Sequence, residues 1–128
     1  MAGKVTNFFK MATRLKIGSL ITFYKLKYFT KDDKDMHRIS MRNDLKVNVN
    51  KSQGDLTTLF EVFVDEDYRF GENTTEKINI IDIGANVGYF SLYITKKFPN
   101  ARIFSFEPFP DTFKRLNEHL KMNNASNV

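Results

Sequence analysis

Two carboxylates are the groups in this chain most suited to holding a ligand. Asp82 stands near the end of the run Ile78-Asn79-Ile80-Ile81-Asp82-Ile83, and Glu107 follows the run Arg102 to Phe106, 25 residues further on. An ionised carboxylate only accepts hydrogen bonds, so a single one can take both hydroxyls of a vicinal diol such as that of a ribose. A bare charge beside a core strand is costly, so Asp82 must be hydrogen-bonded or meet a ligand. Between the two acids lies Gly84-Ala85-Asn86-Val87-Gly88, whose glycines let the backbone turn sharply and let a ligand come close to it.

The same loop disfavours some ligands. A dinucleotide site asks for G-x-G-x-x-G, whose amides reach a pyrophosphate. Here Asn86 and Tyr89 stand where further glycines would be needed, which disfavours a dehydrogenase half-domain. No G-x-x-x-x-G-K-[ST] cradle for a triphosphate is present either. A ligand with a ribose and without phosphate fits better. Each residue also has a plainer role: Asp82 as a helix cap, Gly84 and Gly88 in an ordinary tight turn, Glu107 as a lysine's partner. Their combination at two strand ends favours a ligand site over those separate roles.

Positioning these groups calls for an α/β arrangement. Residues 78–83 read as a strand apolar on both faces, expected to be covered by helices on both sides. A helix is predicted from Val87 to Phe98, broken by Pro99-Asn100, then a strand from Arg102 to Phe106. A second helix is predicted from Asp111 to Met122, with Phe113, Leu116 and Leu120 along one side. Asn123-Asn124 stops it, and Asn127-Val128 looks like the approach to a third strand. Strand, helix, strand, helix in this order is a right-handed parallel unit that brings both acids to the carboxyl edge.

Ahead of this unit, Lys31 to Asp35 reads as an exposed turn. His37–Met41 and Leu45–Val49 flank Arg42-Asn43-Asp44 and predict a β-hairpin. Asp55 is placed as the N-cap of a helix whose Leu56, Leu59, Phe60 and Phe63 share a face, ending at Asp65 to Asp67. A polar loop follows, from Tyr68 to Lys77. The expected organisation is a basic arm over 1–36, a hairpin and helix extension over 37–77, and the first strand-helix units over 78–128.

The strings D-I-G-A-N-V-G-Y-F-S-L at 82–92 and F-E-P-F-P at 106–110, with a helix ending in N-N near N-V, resemble the FkbM family of S-adenosylmethionine-dependent methyltransferases. D-L-T-T-L-F-E-V-F-V-D-E-D-Y at 55–68 is similar to what precedes that motif in the family, so the resemblance covers about residues 37–128. It implies the N-terminal part of a Rossmann-like parallel sheet of the class I methyltransferase type, preceded by a helical and β-hairpin extension. It further implies S-adenosyl-L-methionine as cofactor. Asp82, Gly84, Ala85, Asn86 and Gly88 would form the loop near its methionine end, Glu107 would hold the ribose hydroxyls, and Pro108 or Phe109 would flank the adenine. By the same resemblance the reaction is O-methylation of a sugar or secondary metabolite, with a small-molecule or glycan acceptor. No general base stands out, and Tyr68, Tyr89 and Tyr93 read as packing residues.

A methyltransferase sheet of this kind needs about five to seven strands, and this sequence supplies two. The expectation is therefore either the N-terminal portion of an active enzyme, or a truncated, inactive fragment or partner-dependent module. An open I-N-I-I-D-I edge would need cover.

The charge is uneven. Lys4, Lys10, Arg14, Lys16, Lys25, Lys27 and Lys31 stand in residues 1–31 with no acid among them, while the remainder holds 13 basic and 15 acidic residues. The basic balance thus belongs to the arm, which argues against a nucleic-acid partner for the domain. Val5, Phe8, Phe9 and Ala12 recur there at helical spacing, with Lys4, Asn7 and Arg14 able to face water. A helix packing its aromatic side on the domain is the favoured reading, beside an interfacial helix in weak contact with a membrane surface and an organelle transit peptide. No apolar run reaches the roughly 20 residues of a spanning helix, so the expected location is cytoplasmic, or peripheral to a membrane. Cysteine is absent, and His37 and His119 have no metal-ligand spacing. His119, among polar neighbours, reads as a surface histidine.

Overall fold

The computed structural model describes residues 2–31, 33–65 and 77–128, with the side chains of residues 2–5 excepted. The chain divides into two compact units, Met1–Asp67 and Tyr68–Val128.

The first unit joins two helices to a hairpin. Helix α1 (Ala2–Arg14) and helix α2 (Ile17–Phe29) are followed by strands β1 (Met36–Ser40) and β2 (Lys46–Asn50). The strands pair antiparallel, with His37 opposite Val49 and Ile39 opposite Val47. Alternation explains the pairing: Ile39, Val47 and Val49 are buried on one face while Lys46 and Arg38 face water. The turn closes through Met41 N–H to the Leu45 carbonyl at 2.8 Å, and Asp44 takes a left-handed φ of 66° that a short polar residue tolerates. Residues at the end of α1 lie along the hairpin, with Lys16 N–H on the Ser40 carbonyl at 3.0 Å and Arg42 N–H on the Arg14 carbonyl at 2.8 Å.

The buried side of α1 differs from the aromatic one expected. Met11 and Leu15 are fully buried, whereas Phe8 and Phe9 are exposed. Met11 in α1 and Leu15 just beyond its end, joined by Leu15 N–H on the Met11 carbonyl at 2.9 Å, take the interior instead. In α2 the buried face is Ser19, Phe23 and Leu26, and the Ser19 hydroxyl accepts Ser40 N–H at 2.7 Å. A third helix, α3 (Asp55–Phe60), widens into a π-helical turn over Glu61–Asp65 and buries Leu56, Leu59, Val62, Phe63 and Val64. Asp55 is not its N-cap. Gly54 stands at that position with φ 80°, and the buried Asp55 carboxylate instead accepts Asn50 N–H at 2.7 Å, tying the helix to β2. Residues 66–76, which include the expected helix end and most of the polar loop, lie outside the described residues.

The second unit is a parallel β-α-β-α run: β3 (Asn79–Ile83), α4 (Tyr89–Lys97), β4 (Arg102–Phe106) and α5 (Pro110–Met122). Asn79 pairs with Arg102 and Ile83 with Phe106, so side chains of matching parity share a face. One face packs inward: Ile80 and Ile103 join Ile94, Phe98 and Ala101 in a small core. No described residue of this unit covers the other face. Ile81 is 64% exposed, Ile83 84%, Phe104 43% and Phe106 56%, so the strand expected to be covered on both sides is covered on one. Beyond α5, the Asn127 carbonyl accepts Ile103 N–H at 2.8 Å, bringing the approach to the expected third strand alongside β4.

Candidate functional site

The turn between β3 and α4 is held almost entirely by backbone groups and by two side chains from the far strand and helix. Gly84 N–H and Ala85 N–H both donate to the Phe106 carbonyl, at 2.9 and 3.0 Å. Gly88 N–H returns to the Ala85 carbonyl at 2.8 Å. The Glu107 carboxylate spans the loop and the start of α5, with Oε2 accepting Asn86 N–H at 2.8 Å and Oε1 accepting Phe109 N–H at 3.0 Å. Each carboxylate oxygen has two lone pairs, so both keep one for a further donor. Glu107 is therefore a loop anchor with spare acceptor capacity at the carboxyl edge, not the partner of a lysine among the described residues.

Three loop residues adopt left-handed backbone: Gly84 at φ 77°, Asn86 at 49° and Gly88 at 83°. Asparagine is among the few side chains that visit this region readily, which is how it stands where a dinucleotide loop needs glycine. The glycines serve different ends. A Cβ at Gly84 would meet nothing within 4 Å, leaving open space over the loop, whereas one at Gly88 would lie 3.1 Å from Leu116 Cγ on α5. Gly88 thus allows helix packing, and a side chain there would press on Leu116.

Asp82 lies on the covered face of β3 and is 8% exposed. Its Oδ2 accepts the hydroxyl of the fully buried Ser91 at 2.6 Å, and Ser91 Oγ sits 2.7 Å from Ser105 Oγ on β4. Desolvation raises the Asp82 pKa above its ordinary value, and the Ser91 hydrogen bond offsets part of that rise. Asp82 does not cap α4, whose N-cap position is Gly88 with no side-chain bond.

Of the residues singled out in the sequence, hydrogen bonds bring Gly84, Ala85, Asn86, Glu107 and Phe109 together, and Gly88 closes the loop. Pro108 and Phe109 are exposed, Phe109 at 70%, beside the Glu107 carboxylate. Asp82 is directed instead to Ser91, under the sheet. Sequence reading missed Ser91, Ser105 and above all His119. Far from a surface residue, His119 is 1% exposed, its Nδ1 2.7 Å from the Val87 carbonyl and its ring 5.5 Å from that of Tyr89. Its signal was its place three residues after Leu116 on the apolar face of α5.

No protein-family model matches the chain, and no solved structure matches it. The chain is 31% identical over 96 residues to "Methyltransferase 1" of Beauveria bassiana, a match covering 73% of this chain and 38% of that protein. It is 42% identical over 65 residues to "Methyltransferase sdnD" of Sordaria araneosa, covering 51% of this chain and 25% of that protein. A third similarity, 44% over 61 residues, is to the "AMB antimetabolite synthetase AmbE" of Pseudomonas aeruginosa, covering 47% of this chain and 3% of that protein. The chain thus spans 38% of the first of these relatives and less of the others.

Proposed function

We propose that this chain carries the cofactor-binding part of an S-adenosyl-L-methionine-dependent methyltransferase of the FkbM type, built on a Rossmann-like sheet. The observation that carries the reading is Glu107, whose oxygens each hold one backbone N–H and keep a lone pair toward the carboxyl edge. That supply matches the two hydroxyls of a ribose. Exposed Phe109 offers a ring face beside the same carboxylate for adenine, and the open space over Gly84 suits the methionine end. The relatives named as methyltransferases support the reaction class.

When bound, the cofactor supplies an electrophilic methyl group that an acceptor oxygen takes by in-line displacement, leaving a thioether. The residues assigned here would bind and orient: Glu107 would hold the ribose, and the pinned loop would hold the methionine end, so that the methyl is presented in one direction. Positioning of this kind is the main catalytic contribution expected of such a site. The acceptor is a sugar or secondary-metabolite hydroxyl, whose proton needs a base outside the residues assigned.

A second reading, a partner-dependent module, is favoured by the exposed sheet face of Ile81, Ile83, Phe104 and Phe106. The first unit supplies a weak contact with an anionic membrane surface, supported by Phe9, Ile17, Ile21 and Phe29, each 65–83% exposed, in an acid-free stretch. No described helix is long and apolar enough to cross a membrane. Calorimetric titration of Glu107→Ala and Gly84→Val with S-adenosylhomocysteine tests the cofactor reading. Both substitutions abolish binding on this account, and unchanged affinity in both refutes the placement.

A further inference from the structure

The loop between β3 and α4 is gripped from two sides, and the grip singles out one peptide group. In the plane joining Ala85 to Asn86, the carbonyl accepts Gly88 N–H and the N–H donates to Glu107. In the plane joining Val87 to Gly88, the N–H donates to Ala85 and the carbonyl meets His119 Nδ1 at 2.7 Å. The plane between them, Asn86 C=O with Val87 N–H, makes no hydrogen bond among the described residues. Its orientation is set by its two fixed neighbours.

We propose that His119 is a positioning residue for this loop: by donating from Nδ1 to the Val87 carbonyl, it orients the one free peptide of the turn toward an incoming ligand. A carbonyl only accepts, so Nδ1 carries the proton. The imidazole is 1% exposed and packs 5.5 Å from the Tyr89 ring, so no water competes for the carbonyl from its side. Leu116, one turn earlier on α5, packs over Gly88, its Cγ 3.1 Å from where a Cβ would stand. The helix thus grips the loop at two adjacent points, one apolar and one polar. The consequence for affinity rests on the cofactor reading above; the grip itself does not.

The geometry also dictates which substitution keeps the contact. In asparagine the amide nitrogen stands the same number of bonds from the backbone as Nδ1, so His119→Asn retains the donor. In His119→Gln the nitrogen is one methylene further out, and His119→Leu has none. The experiment measures amide hydrogen exchange by NMR on the ligand-free 128-residue chain for all three variants, then titrates each with S-adenosylhomocysteine. The expected result is exchange faster by about tenfold at Asn86 and Gly88 in His119→Leu and His119→Gln, the worth of one hydrogen bond. Exchange in β4 should stay unchanged, and His119→Asn should be close to wild type. Adenosyl-ligand affinity should fall about tenfold in the same two variants and be restored in His119→Asn.

Unchanged loop exchange in His119→Leu overturns the proposal. So does faster exchange throughout the second unit in every variant, because His119 would then be ordinary core. Should His119→Leu not fold, the contrast between Asn and Gln decides in the same way. A wild-type chain that binds no adenosyl ligand refutes the cofactor reading, and the exchange data still decide the grip.

Discussion

Ser91 is where the structure makes its most demanding energetic statement. Its hydroxyl has one hydrogen, and a carboxylate 2.6 Å away is the stronger acceptor, so that hydrogen goes to Asp82 Oδ2 and Ser105 donates to Ser91 in turn. Ser91→Ala removes the donor from a carboxylate 8% exposed and the acceptor from the Ser105 hydroxyl. A hydrogen bond to a charged group contributes about 1.5–3 kcal/mol and a neutral one about 1 kcal/mol, so the loss should be about 3 kcal/mol at neutral pH. Because burial raises the folded-state pKa of Asp82, the group's favourable contribution is full below its ordinary value and is lost as pH rises through the raised one. Ser91 counters that loss by favouring the ionised form. The deficit of Ser91→Ala is therefore largest at neutral pH and shrinks as the pH is lowered and Asp82 becomes protonated. Urea unfolding followed by far-ultraviolet circular dichroism, at neutral and mildly acid pH, measures both. A deficit below about 0.5 kcal/mol, or one indifferent to pH, would refute the reasoning.

The remaining perturbations test the loop and the acids separately. Asp82→Asn removes the buried charge while keeping an acceptor for Ser91, so it should gain stability at neutral pH and lose the wild type's response to acid; thermal melts across pH check this. Gly88→Ala should cost about 1–2 kcal/mol for its left-handed backbone and more for the contact with Leu116. Gly84→Ala should cost the backbone share alone, a difference read by paired urea titrations. Glu107→Gln turns one accepting oxygen into an amide donor, so either Asn86 or Phe109 N–H loses its partner. Adenosyl-ligand affinity should then fall at least about tenfold, with a stability loss of about 1 kcal/mol.

The parts of this fold that depend on local period were legible. Residues 79–83 and 102–106 form strands because short β-branched and aromatic runs end at glycine and at Glu-Pro, and the hairpin follows from apolar alternation around a polar turn. What one element meets in another was not legible. Met11 and Leu15 are buried while Phe8 and Phe9 are exposed, because the elements a helix meets, α2 and the turn over Glu61–Asp65 in the case of α1, decide which of its faces is buried. Ile81 and Ile83 read as doubly buried, yet an apolar run has no way to encode what covers its second face. At the candidate site the acids and glycines were found as residue types, but their partners were not. Asp55 looks like a cap until Asn50 N–H is placed on it, and His119 looks like a surface residue until α5 turns it onto Val87. Polar neighbours in sequence say little about a helical residue whose burial is set three and four positions away.

Whether the loop and Glu107 hold an adenosyl cofactor is decided by calorimetric titration of S-adenosylhomocysteine into the chain, with Glu107→Ala as control. Saturable one-to-one binding is expected in the wild type and should be lost in the control. Absence of heat from a folded wild-type sample, or equal binding in Glu107→Ala, would overturn the assignment.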